Sequence, residues 1–165
     1  MKNADEHLKE VFSYYGLSIY YAQIVERAIM NMSLVLQPPG KTPPETTRIQ
    51  NGYDALLDEE FTTEFNGLLA EQQNNTEISK TLVQDLKNAR DIHNHLVQNF
   101  FTENSLKIAT EEGRNDMIRE LYNNYQLFNK ANQSLEKLFR EVANKLGVTN
   151  EMITGEIKRM LHNKG

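Results

Sequence analysis

Residues 110–147 read TEEGRNDMIRELYNNYQLFNKANQSLEKLFREVANKLG, and this stretch decides the fold class. Ile118, Leu121, Tyr125, Phe128, Asn132, Leu135, Phe139, Val142 and Leu146 recur at alternating steps of three and four. That spacing lines one face of an α-helix and is incompatible with the two-residue period of a strand. Thr110 ahead of Glu111 and Glu112 is an N-cap with acids in the first turn, where the helix dipole favours them. Gly147 is suited to the left-handed residue that closes a helix, so the segment should run over 110–146, roughly 55 Å at ~1.5 Å per residue. A helix of that length outreaches a compact four-helix bundle of this mass and leaves apolar surface for a second copy of the chain. Asn132, the one polar residue of the stripe, is placed to set the register of such a contact.

Upstream, the same periodicity recurs. Leu8, Phe12, Tyr15, Ile19, Ala22, Val25, Ile29, Met32 and Leu36 predict a helix over about 5–36. All four prolines of the chain fall in Pro38-Pro39-Gly40-Lys41-Thr42-Pro43-Pro44, which no helix can continue through, so 37–52 is expected as a Pro-rich loop. Leu56, Leu57, Phe61, Phe65, Leu68 and Leu69 predict a helix over 54–73. Ile78, Leu82, Leu86, Ala89, Leu96 and Phe100 predict another over 77–102, with His93 on the same stripe. Thr149 caps a short last helix over 150–161 carrying Met152, Ile153, Ile157, Met160 and Leu161. The expected product is a single all-α domain of 165 residues, an antiparallel four-to-five-helix bundle with a long fourth helix.

Composition excludes several functions. With no Cys there is no disulfide, thiolate nucleophile, Cys-bound zinc or iron–sulfur cluster. The opening MKNADEHLKEVF is polar and lacks the apolar core of a secretory signal, and nothing approaches 18 consecutive apolar residues. A cytoplasmic chain with no membrane partner is expected. The formal charge is -5, yet residues 130–165 carry seven Lys/Arg against four Glu, while the rest carries 11 against 19. Basic residues spread that thinly read as a solvated helix face rather than a nucleic-acid stripe. The signatures GxxxxGK[ST], GxGxxG, HExxH and GxSxG and an EF-hand loop do not occur, nor does the ExxH of di-iron bundles. His93 and His95 lie two apart on a helix and point about 200° from each other, so they cannot grip one ion there. Neither a cofactor nor a metal is expected.

The chemistry-bearing stretch is Arg90-Asp91-Ile92-His93-Asn94-His95-Leu96-Val97-Gln98-Asn99-Phe100-Phe101, the most polar run of an apolar helix. Helical spacing lines Arg90, Asn94 and Gln98 along one edge, with His93 closer to the core. Gln23 and Glu26 on the first helix are candidate facing partners. Arg90 is expected to pair with an acid of another helix, and a buried Glu–Arg or Glu–His contact is as often a packing specifier as a catalytic pair.

The run Tyr20-Tyr21-Ala22-Gln23-Ile24-Val25-Glu26-Arg27 resembles the Y-x-A-Q-x-x-E opening of small bacterial helical proteins whose third helix reads R-N-x-L-A-H-x-F-F. Those in turn resemble the HEPN superfamily of α-helical domains, defined by R-x4-6-H. In this register Asn94, Leu96, Val97, Phe100 and Phe101 match, while His93 stands at the Arg position and Gln98 at the His position. A shifted register restores R-x4-H as Arg90 and His95 but loses the Asn and the Phe-Phe pair. The resemblance implies a HEPN-like dimer. In active members Arg and His of both chains meet in a cleft and cut RNA without metal, the Arg stabilising the phosphorane charge and the His moving the proton. A glutamine can hold a phosphate but cannot shuttle a proton. Three readings follow. One is a non-catalytic binding or regulatory module, with an RNA or a protein as partner and a mobile or defence-associated gene as origin. Another is a metal-independent ribonuclease using Arg90 and His95, or His93. The last is a purely structural domain.

Overall fold

A computed structural model describes residues 3–36, 52–72, 76–147, 149, 151–152, 154–155 and 158, the side chains of 34–36, 68, 69, 71, 72 and 76–79 excepted. The described residues form helices and connecting turns, with no strand among them. In chain order these are α1 (Ala4–Leu36), a 3₁₀ helix (Gly52–Leu57), α2 (Glu59–Gln72), α3 (Thr76–Gln98), the single turn α4 (Phe100–Glu103), a 3₁₀ turn (Lys107–Ala109) and α5 (Glu111–Lys145). The expected Pro-rich loop lies outside the described residues, except Gly52. So does most of the expected last helix. Its start is visible, where Thr149 Oγ1 accepts from the Met152 N–H at 3.2 Å.

The segment expected as one helix over 54–73 is two elements. Asp58 separates them, its Oδ1 accepting from the Phe61 N–H at 2.9 Å as an N-terminal cap of α2. The expected 77–102 helix likewise breaks at Asn99, whose φ of −126° and ψ of −25° leave the α region before α4 restarts the turn. The α5 ends match expectation: Thr110 Oγ1 accepts from the Gly113 N–H at 3.1 Å, and Gly147 has φ 67°.

Side-chain pairs fix the directions. His7 meets Asn115, Tyr14 meets Tyr122, the Ser18 hydroxyl donates to the Leu121 carbonyl at 2.8 Å, and Tyr21 packs on Tyr125. Both numbers rise together, so α1 and α5 run parallel. Against α3 the numbers run oppositely: Tyr15 donates to the Leu96 carbonyl and Phe12 packs on Phe101 just beyond it, while Glu120 lies by His95 and Lys130 pairs with Asp85. The expected antiparallel arrangement therefore holds for α3 against both neighbours and fails for α1 against α5. Among the described residues three long helices run up, down and up, because the short α2 does not supply a fourth full-length pass.

The core is shared among these elements. Val11, Ala22, Val25, Ile29 and Met32 of α1, Leu86, Ala89 and Leu96 of α3, and Met117, Leu121, Phe128, Leu135 and Val142 of α5 are buried. Tyr53, Ala55, Phe61 and Phe65 close it from the 3₁₀ helix and α2. Phe12, expected inside, is 51% exposed, and Ser18 takes a buried place instead. The length of α5 does not leave a bare end, since α1 is almost as long, 33 against 35 residues, and lies beside it.

Two glycines separate propensity from packing. A methyl at Gly16 in α1 meets open space, whereas one at Gly113 would run into the Lys107 backbone. Gly16→Ala should stabilise by about 0.5–1 kcal/mol through helix propensity. Gly113→Ala should destabilise by about 2 kcal/mol by opening the α4–α5 connection. Urea unfolding of both variants measures the two signs.

Candidate functional site

The polar run on α3 does not converge. Arg90 is held by Asp91, its immediate neighbour, through Nη2–Oδ1 at 2.8 Å and Nε–Oδ1 at 3.0 Å. The expected partner on another helix is thus replaced by a local pair. His95 stands between two carboxylates, Nδ1 at 3.8 Å from Glu103 and Nε2 at 3.8 Å from Glu120, with its edge to Phe100. Asn94 and Gln98 are exposed on the same helix. Five residues apart, Arg90 and His95 differ by about 140° around the helix, so one chain alone cannot bring them to one phosphate.

His93 is half-buried and stacks on the Tyr53 ring, centroids 5.1 Å apart and planes at 27°. Tyr53 is fully buried and donates its hydroxyl to the Ala22 carbonyl at 2.7 Å. Beside it, Glu26 Oε1 accepts from the Gly52 N–H at 3.2 Å. The expected Glu26–His93 or Glu26–Arg90 contact is therefore a three-part corner in which the 3₁₀ helix stands between the two helices. Burial, and secondly the Glu26 carboxylate, push the Tyr53 hydroxyl well above its ordinary range near 10. A phenol so held stays protonated and keeps its hydrogen bond, which is the chemistry of a latch rather than of a proton shuttle.

Gln23 faces elsewhere. Together with Tyr20, Ile24, Arg27, Ala28 and Asn31 of α1 it lines a groove of about 530 Å³ whose other wall is Asn132, Leu135, Glu136, Phe139 and Arg140 of α5. Asn132 Nδ2 donates to Glu136 Oε1 at 3.0 Å, and Arg140 approaches Glu136 at 3.9 Å. Arg27 is exposed and makes no ion pair among the described residues. Below the groove the tyrosines form a chain of edge-on and tilted contacts, Tyr14–Tyr122–Tyr125–Tyr21–Tyr20, with centroids 4.8–6.2 Å apart. Burial of the ring and the adjacent Tyr21 raise the Tyr125 hydroxyl above its usual range.

No family model matches the chain, and no match was found among curated proteins or solved structures. The chemistry must therefore be argued from geometry. Among the described residues no group of three or more His, Asp or Glu side chains could hold a metal ion, and no helix is long and apolar enough to cross a membrane. Of the site residues picked from sequence, Gln23 lies in the groove, Glu26 and His93 meet through Tyr53, and Arg90, Asn94, His95 and Gln98 stand apart. Sequence reasoning missed Tyr53, Arg27 and Arg140. The signal for the first was a lone buried-type aromatic beside Gly52, while the two arginines carry no local signal.

The Tyr53 latch has an alkaline signature. Its folded-state pKa is raised, so its stabilisation is complete below the unfolded value near 10 and is lost as pH rises above it, by about 1.4 kcal/mol per pH unit. Tyr53→Phe should cost about 1 kcal/mol at pH 7 and should unfold less steeply than the wild type above about pH 10. Denaturant unfolding between pH 8 and 11 checks both.

Proposed function

We propose that the chain is a HEPN-like helical module that works by binding rather than by catalysis, as a homodimer. The observation that carries this reading is the dispersal of the three candidate catalytic side chains: Arg90 is bound to Asp91, His93 is stacked on Tyr53, and His95 lies between Glu103 and Glu120. An acid–base or phosphate-clamping site needs such groups at hydrogen-bond reach of one reacting atom. The α1/α5 groove offers what binding needs instead, an apolar floor with a few polar side chains around it.

A second reading is supported by His95, whose two carboxylate neighbours and 33% exposed side chain suit a proton carrier. It requires a symmetry mate to bring Arg90 or another cation to that histidine, in a metal-independent ribonuclease. Incubation with structured RNA in EDTA separates the two. Under the binding reading the wild type, Arg90→Ala, His93→Ala and His95→Ala all leave the RNA intact. Cleavage by the wild type that His95→Ala abolishes by a hundredfold or more would replace it with the ribonuclease.

A further inference from the structure

Because α1 and α5 are parallel, their like-charged ends coincide. The first turns hold Asp5 and Glu6 in α1 and Glu111 and Glu112 in α5, all at one end. A shallow recess there is lined by Glu111, Glu112, Asn115, Asp116 and Arg119, three carboxylates against one cation. At the other end the groove holds Arg27 and Arg140 against Glu136 alone. Between them lies the tyrosine chain, with Tyr20 58% and Tyr122 46% exposed. An exposed face that is acidic at one end, aromatic in the middle and basic at the other complements itself when turned end for end.

We propose that the α1/α5 face is the homodimer interface, two copies packing antiparallel about a two-fold axis that crosses the tyrosine chain. This rests on the dimeric part of the reading above and gives it a location. The axis lies in the interface and perpendicular to the helices, so each helix meets its own copy reversed. Arg140 then faces Glu111 of the partner subunit, since the two lie on one side of α5, 29 positions and so about 20° of azimuth apart. The midpoint of that pair falls at 125–126 of α5. That level lies beside Tyr21 of α1, which packs on Tyr125, so the axis crosses the tyrosine chain. The face between the charged ends is about 40 Å by 20 Å, roughly 800 Å² per subunit, which is the size of a stable interface. The alternative symmetry, with the axis along the helices, stacks acid on acid. The proposed interface also leaves Arg90, His93 and His95 on the far side of α1 and α5, away from their mates.

Light scattering at tens of micromolar and low salt should return twice the 19.1 kDa chain mass, falling toward one chain as salt is raised. An all-acidic face, Arg27→Glu with Arg140→Glu, and an all-basic face, Glu111→Arg with Glu112→Arg, should each give monomers. Mixed in equal amounts the two variants should form a one-to-one heterodimer, an outcome that misfolding cannot mimic. Since the chain has no Cys, Gln126→Cys near the axis should be joined to its mate by a short bis-maleimide, whereas Val97→Cys on α3 should not. A wild type that stays monomeric overturns the interface and the dimer together, leaving a monomeric binding module. A dimer that resists both charge reversals and is joined through Val97→Cys overturns the interface alone and places the two α3 helices face to face.

Discussion

The parallel contact of α1 with α5 is the constraint on which the other features depend. Two parallel helices side by side align their dipoles, which is mildly unfavourable, so packing must outweigh electrostatics along the seam. Small and polar residues allow the approach. Ser18 and Ala22 are buried at the contact, and the Ser18 hydroxyl reaches the Leu121 carbonyl, a bond that only a short side chain can make. Antiparallel α3 then opposes both dipoles and covers the remaining apolar face of each, with Leu86, Ala89 and Leu96 fully buried against them.

Parallelism also determines where function can sit. With α3 and the 3₁₀ helix on one side of the α1/α5 pair, the groove on the other side remains open, and its polarity follows from helix chemistry rather than from any motif. Acids favour first turns because they face the positive end of the dipole. In an antiparallel pair those acids would lie at opposite ends and the face would carry no gradient. Here they lie together, and Arg27 and Arg140 oppose them across the tyrosines.

Much of the fold was legible in the sequence because it rests on local spacing. The α5 stripe, its Thr110 cap and its Gly147 stop are local features, and the structure places all three as the spacing predicts. Where neighbouring residues compete with the pattern, the reading failed: Asp58 and Asn99 hydrogen-bond or bend the backbone inside apolar runs that looked continuous. Helix direction was not legible, since nothing in a stripe says which way its neighbour runs. The site suffered for the same reason. That Gln23 flanks a stripe was legible, whereas Arg27 and Arg140 are brought to one groove only by the direction of two helices more than a hundred positions apart.

The Glu26–Tyr53–His93 corner is architecture built from polar residues. There a histidine ring lies on a buried tyrosine, and a guanidinium in its place would lose hydration without an acid in contact. Glu26, the nearest carboxylate, is engaged by the Gly52 amide and lies beyond the Tyr53 ring. A flat ring stacks on Tyr53 there, and the 3₁₀ helix that carries Tyr53 closes the end of the core. His93 thus supplies the surface on which Tyr53 packs, and the corner ties α1, the 3₁₀ helix and α3 into one core.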